Sequence, residues 1–294
     1  MNTNINSISS YLKKEFGTKT IKLSLDGGFT CPNRDGTKGY GGCLFCSESG
    51  SGEMASNIED QIQLLSEKWP NAKYIAYFQN HTNTYAPVEE LRKKYKAALD
   101  NPNISGIAIS TRPDCLGDDV LDLLDEINQK HFMWVELGLQ TIHDKTADAM
   151  NLCYNLADFD RSLAELKKRN IKTVTHLILG LPGESREDMF ESVKYVCKSG
   201  IWGLKLHLLN VVKGSPMEKL YPTYNSFDSI ETYVNFVCDL IEIIPPEIVI
   251  HRMTADAPRK ILMTPEWSYK KRTILNGIHN ELRKRKSYQG SKLI

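Results

Sequence analysis

The chain predicts an α/β fold, an open partial (βα)6 barrel with a C-terminal α+β extension, on three observations. Short apolar runs of strand length alternate with amphipathic stretches of helical length, which is the pattern of parallel βα units. Six such units occupy residues 21–212, after which the alternation breaks. With 294 residues, 41% hydrophobic and 25% charged, the chain is sized for one large core plus an addition.

Residues 1–20 read as a helical lead-in. The strands follow at 21–25, 74–78, 106–110, 133–139, 173–179 and 203–208. They are short runs rich in Ile, Val, Leu and aromatic residues, bounded by turn residues. Helical periodicity fills the gaps at roughly 57–69, 87–99, 117–130, 157–169 and 185–199. From residue 213 the sequence changes character: Gly214-Ser-Pro and Tyr221-Pro-Thr-Tyr read as loop. A helix over 229–243 is stopped by Pro245-Pro246, a short strand spans 248–251, and a final helix covers about 269–286. These predict an extension, 213–294, that closes the open side of the barrel.

The whole chain has a net charge of +1, but between Pro258 and Ile294 ten Lys or Arg face two acids. Positive charge gathered near one end suits phosphate-backbone binding, or equally the solvated face of a terminal helix. Seven cysteines, an odd number with three clustered, argue against a disulfide framework and for a reducing cytoplasm. No run reaches the length of a membrane span, and the N-terminal residues lack the basic flank and apolar core of a signal peptide.

Cys31, Cys43 and Cys46 lie on a loop rich in Gly, Asn and Asp that directly follows the first strand. In βα barrels the loops after the strands form the active-site face. Three thiols there suit a soft metal centre, either iron–sulfur or a zinc knuckle completed by His81 or His176. Alternation on the fourth strand puts Trp134, Glu136, Gly138 and Gln140 on one face and Val135, Leu137 and Leu139 on the other. The polar set should face the lumen. His176, Ile178 and Gly180 share a face of the fifth strand, and Lys205 and His207 one of the sixth. A Lys and a His pointing into a barrel are costly unless they bind something. Arg252, Asp256 and Arg259 form a further polar set that either pairs internally or contacts a phosphate or modified base.

The stretch Asp26-Gly-Gly-Phe-Thr-Cys-Pro-Asn-Arg-Asp-Gly-Thr37, with the spacing Cys31-x11-Cys43-x-Phe45-Cys46, resembles the YhcC/YtqA-type radical S-adenosylmethionine (SAM) proteins, which are similar in turn to the elongator catalytic subunit. The resemblance continues through Gly138-Leu-Gln140, Ile178-Leu-Gly-Leu-Pro-Gly-Glu184, Lys205-Leu-His-Leu-Leu209 and Tyr288-Gln-Gly290. It implies the partial barrel of radical SAM enzymes, a [4Fe–4S] cluster on Cys31, Cys43 and Cys46, and SAM bound at the iron that lacks a protein ligand. It further implies SAM contacts from Phe45, from Gln79, Asn80, Thr82 and Thr84 after the second strand, from Ser110 and Arg112 after the third, and from Glu136, Gln140, His176, Ile178 and Gly180. Lys205, His207 and His176 are the expected catalytic or substrate-binding groups. One departure stands out. Where relatives often place an arginine for the methionyl carboxylate, this chain has Leu152, so either Arg112, Arg161 or Lys205 supplies the cation or binding is weaker.

The expected function is homolysis of SAM to a 5′-deoxyadenosyl radical for modification of the C5 side chain of a wobble uridine in tRNA. Arg259, Lys270, Lys271, Arg272, Arg283, Lys284, Arg285 and Lys286 are the expected RNA contacts. A reductant such as flavodoxin or ferredoxin is the expected electron donor. The competing readings are a radical enzyme for a small molecule and a non-catalytic zinc-binding RNA adaptor.

Overall fold

The structure is a computed structural model that describes residues 4–50 and 52–293. Helix α1 (Ile8–Phe16) leads into β1 (Thr20–Leu25), α2 (Ile58–Ser66), β2 (Lys73–Phe78), α3 (Val88–Leu99), β3 (Ile104–Thr111) and α4 (Asp118–Asn128). Next come β4 (Met133–Gln140), α5 (Asp144–Ala149), α6 (Leu156–Lys168), β5 (Lys172–Leu179), α7 (Arg186–Lys198) and β6 (Gly203–Leu208). The chain ends through β7 (Val211–Val212), α8 (Met217–Leu220), α9 (Ile230–Ile243), β8 (Val249–Arg252), β9 (Leu262–Thr264) and α10 (Lys271–Lys284). Among the described residues no helix is long and apolar enough to cross a membrane.

All strands of the main sheet are parallel, in the order β1-β2-β3-β4-β5-β6-β8. The six expected strands are present in sequence order, and a seventh joins them. The segment 248–251, expected in the extension, forms β8 and extends the barrel sheet next to β6. The sheet is therefore a half-barrel with β1 and β8 as its outer strands, each bridged once by neighbouring coil, Leu25 to Ser56 and Ile250 to Ser7.

Period-two alternation divides each strand between two environments. Outward residues such as Leu23, Ile107, Val135, Leu177, Leu206 and Ile250 are buried with the helices in one large core. Local chemistry starts the helices where they are needed. Asn155 with Asp158, and Ser185 with Asp188, form capping boxes at α6 and α7.

The inward residues change along the barrel axis. At the N-terminal end Ile75, Tyr77, Ala108, Trp134 and Val174 pack together with Leu12 of α1. Tyr11 meets Trp202 edge-on with ring centroids 5.1 Å apart, and Phe16 meets Phe132 at 5.2 Å. The lead-in helix is thus an apolar plug for that end.

The extension returns to both ends of the half-barrel. At the C-terminal mouth β9 pairs antiparallel with β7, which directly follows β6, and Met217 of α8 donates its N–H to Leu44 in the cysteine loop (3.0 Å). At the plugged end Gln289 donates to Pro245 and Ile248 carbonyls (2.7 and 2.8 Å) and accepts from the Asn6 N–H (2.9 Å). This glutamine, from the Tyr288-Gln-Gly290 motif, ties the N-terminal segment, the end of α9 and the start of β8 together.

Candidate functional site

Cys31, Cys43 and Cys46 are half-buried on the loop after β1, at the mouth. The loop is held from several sides. Cys46 N–H donates to the Cys43 carbonyl (2.9 Å), and Arg34 donates to the Ser47 carbonyl. Asn151 donates to the Gly42 carbonyl (2.8 Å), and Leu44 N–H donates to the Met150 carbonyl (3.0 Å). Leu44 and Phe45 pack onto an apolar pad of Met150, Leu152, Tyr154, Ile178, Leu181 and Met217. Leu152 belongs to this pad, and burial of the loop's apolar residues explains a leucine there.

Of the three expected cations, Arg112 is the one that the structure brings to the cysteines. Its Nη1 lies 4.0 Å from Cys31 Sγ, its fork binds Asp114 through two bonds of 2.9 Å, and its plane lies 4.7 Å from the Tyr154 ring centroid. Arg161 instead pairs with Asp158 at the surface, and Lys205 lies deeper in the barrel. Asn33 Nδ2 approaches Cys43 Sγ at 3.6 Å. Burial, with Cys46 and Cys31 close by, pushes the Cys43 thiol up to about 12. A bound cation is what makes such a thiol a thiolate. Three thiols on one loop, with N–H groups directed at two of the sulfurs, form a donor set that fits an iron–sulfur cluster.

The turn after β2 is closed by its own hydrogen bonds. His81 adopts a positive φ of 57°, and its N–H reaches the Gly50 carbonyl (3.3 Å). Asn83 caps β2 and β3 by donating to the Phe78, Asn80 and Ser110 carbonyls (3.2, 3.0 and 2.9 Å). Thr84 bonds Thr111 and the Cys115 carbonyl, Thr82 is buried, and Asn80 keeps a buried Oδ1 without a protein partner. Gln79 ends this strand, its N–H on the Leu25 carbonyl (3.3 Å).

Below the mouth a single carboxylate collects the lumen's polar groups. Glu136 has no exposed surface and accepts from Tyr77 Oη (2.7 Å), Trp134 Nε1 (2.9 Å), His176 Nε2 (2.9 Å) and Lys205 Nζ. Ser110 Oγ lies at 3.5 Å and Lys22 Nζ at 3.7 Å. Burial opposes the charge on Glu136, but Lys205, Lys22 and His176 outweigh it and hold the carboxyl well below its ordinary range. His207 stands next along β6, its ring 5.1 Å from that of His176 and its buried Nε2 without a protein partner. His176, engaged by Glu136, does not turn toward the cysteines.

Other expected residues are placed differently from what alternation alone suggests. A bulge between Gly138 and Gln140 gives Gln140 a φ of 72°, and its amide folds back over Gly138, whose carbonyl binds Tyr154 Oη. Gly180, at φ 88°, is covered by Ser226 of the extension: a Cβ there would lie 1.9 Å from Ser226 Oγ. Lys22 and Tyr77 escaped the sequence reading. The signal for Lys22 was present, because Lys22 and Ser24 are the polar members of an alternating strand.

The basic segment divides in two. Arg259, Lys270 and Arg272 are exposed beside β9 at the mouth, and the Arg259 guanidinium lies 4.5 Å from the ring centroid of exposed Tyr269. Lys271 pairs with Asp256 (2.8 Å). Arg283, Lys284, Arg285 and Lys286 lie at the other end of α10, about 20 Å away along the helix axis. That is the plugged end, where Arg285 turns onto α9 to bind Asp239 (2.6 Å) and Asn235 (3.0 Å).

Burial and the adjacent Lys205 push His176 down to about 4, against about 6.5 for an unfolded histidine. The unfolded chain therefore takes up this proton first as pH falls. The contribution of His176 to stability is full above about pH 6.5 and is lost toward pH 4. Between pH 7 and 5 the wild type should lose about 2 kcal/mol more than His176→Gln, measured by denaturant unfolding. Equal losses in the two proteins would contradict this assignment.

Comparison with known proteins agrees with the fold. The radical SAM superfamily model matches residues 31–196, and the radical SAM C-terminal domain model matches 201–284. The uncharacterized protein YtqA of Bacillus subtilis is 46% identical over 293 residues, covering 97% of this chain and 91% of that one. YhcC of Escherichia coli K12 is 40% identical over 270 residues, covering 90% and 87%. Elongator complex protein 3 of Schizosaccharomyces pombe aligns at 27% identity with 53% of this chain and 29% of its own length. Among solved structures, the archaeal Elp3 of Methanocaldococcus infernus shares the fold with a TM-score of 0.67 at 16% identity, covering 92% of this chain and 64% of that one. Methylornithine synthase (PylB) does so with a TM-score of 0.53 at 12% identity, covering 94% and 85%. The chain belongs to the radical SAM superfamily, alongside YtqA and YhcC.

Proposed function

We propose that this radical SAM superfamily enzyme holds a [4Fe–4S] cluster on Cys31, Cys43 and Cys46, binds SAM, and modifies the C5 side chain of a wobble uridine in tRNA. The observation that carries the reading is the position of three thiols on one loop at the mouth of a half-barrel whose lumen is polar. Such a cluster, when bound, supplies one-electron cleavage of SAM to a 5′-deoxyadenosyl radical, with a small reductant such as a flavodoxin or ferredoxin as electron source. The chain's own part is positioning and exclusion of water. Arg112 sets a guanidinium beside Cys31, the Leu44 and Phe45 pad excludes solvent from the loop, and α1 seals the far end of the lumen. His207 Nε2 and Asn80 Oδ1 are among the buried polar atoms without protein partners and are positioned to meet SAM or substrate.

Two observations support RNA as substrate. A relative over 162 residues, 26% identical and covering 52% of this chain and 34% of its own length, is the tRNA uridine(34) acetyltransferase of Dehalococcoides mccartyi. The exposed Arg259, Lys270 and Arg272 around Tyr269 offer phosphate contacts and a stacking face on the mouth side.

Anaerobic reconstitution with iron and sulfide, reduction and addition of SAM should yield 5′-deoxyadenosine from the wild type and none from Cys43→Ala; equal yields would contradict the ligand assignment. Replacing Arg259, Lys270 and Arg272 together by Gln should weaken tRNA binding and lower the slope of log affinity against log salt by about 2–3. The same change at Arg283, Lys284 and Lys286 should leave the slope nearly intact. RNA affinity insensitive to the mouth-side set would point to a small-molecule substrate.

A further inference from the structure

We infer that the lateral opening of the half-barrel binds an anionic group of the substrate, a phosphate or a carboxylate, between Lys22 and Arg252, with His207 Nε2 as a further donor. The inference rests on the radical SAM reading of the site and adds the charge of what enters it.

Arg252 of β8 is the direct neighbour of Lys205 on β6. Like charges placed opposite each other on adjacent strands are destabilising. Lys205 is neutralised by Glu136, whose oxygens are already occupied by Tyr77, Trp134 and His176. Glu136 is also the nearest carboxylate to Lys22, at 3.7 Å. Arg252 reaches Asp256 at 3.3 Å, but Asp256 is half exposed and shared with Lys271. Three cations, Lys22, Lys205 and Arg252, therefore face two carboxylates, one of them shared with the surface.

Topology says where the excess charge acts. Lys22 is on β1 and Arg252 on β8, the two outer strands of the sheet, whose isolated bridges to neighbouring coil lie at Leu25 and Ile250, so the cations flank the gap through which the lumen opens sideways. Both keep about a quarter of their side chain exposed, 23% and 24%, whereas Lys205 keeps 2%. They are accessible to a ligand yet rooted in the lumen network. His207, two residues beyond Lys205 on β6, brings the buried Nε2 that no protein group satisfies. An anion in this gap would relieve the Lys205–Arg252 repulsion and satisfy that nitrogen together.

The test uses reconstituted holoenzyme and follows the unfolding midpoint in sodium phosphate or sodium acetate at pH 7, with ionic strength held constant by sodium chloride. The wild type should show a saturable rise with at least one anion. Response to phosphate alone identifies a phosphate site, and response to acetate a carboxylate site. Lys22→Gln and Arg252→Gln should each raise the half-saturating concentration at least tenfold. Lys22 touches the Glu136 network, so if Lys22→Gln does not fold, Arg252→Gln decides. No saturable rise in the wild type, or wild-type saturation in Arg252→Gln, would overturn the inference. Deoxyadenosine measured on the same preparations separates the two claims. Turnover without anion binding overturns this inference alone, and anion binding without turnover overturns the radical SAM reading alone.

Discussion

Glu136 stands on the middle strand with no exposed surface, and its two oxygens gather groups from six successive strands: Lys22, Tyr77, Ser110, Trp134, His176 and Lys205. Removing a carboxylate and an ammonium from water costs several kcal/mol per ion, so the arrangement persists only because donors surround the carboxylate. Those donors also constrain the fold. A one-residue slip of any of the other five strands would turn its contributor outward and leave the carboxylate short of a partner, and a slip of β4 would turn the carboxylate itself outward. The polar lumen and the strand register are thus one constraint.

The two ends of the barrel are built differently around that centre. Toward the strand N-termini the lumen is apolar and plugged by Leu12. Toward the C-termini it stays polar and is roofed by a loop that carries thiols and rests on the pad around Leu152. The site inherits its polarity from below and its thiols from above. The extension reinforces both ends, with β9 and α8 at the mouth and Gln289 at the plug. The basic charge of the last helix is consequently split between a mouth-side face and a remote one.

Much of this was legible in the residues. Strand–helix alternation gave the parallel half-barrel, and alternation within 133–139 put Trp134 and Glu136 on one face and Val135 and Leu137 on the other. The seventh strand was not legible as part of the sheet, because about forty residues of loop and helix separate it from β6 and break the repeat. The tail's composition showed its charge but not that α10 runs from mouth to plug, which divides Lys270–Arg272 from Arg283–Lys286. Gln140 left the expected alternation because a bulge at positive φ, a tertiary feature, redirected it. The convergence on Glu136 was invisible for a similar reason. Lys22, Tyr77 and Lys205 are far apart in sequence, and only the curvature of the sheet brings them to one carboxylate.

The most direct test of this account is a double-mutant cycle on Glu136 and Lys205, read by denaturant unfolding. Glu136→Gln alone should cost about 3–5 kcal/mol, because it strands a buried ammonium. Adding Lys205→Met should recover a substantial part of that loss, with a coupling above about 1 kcal/mol. If Glu136→Gln costs less than about 1 kcal/mol, or if the two changes simply add, the carboxylate does not organise the barrel and the account fails at its centre.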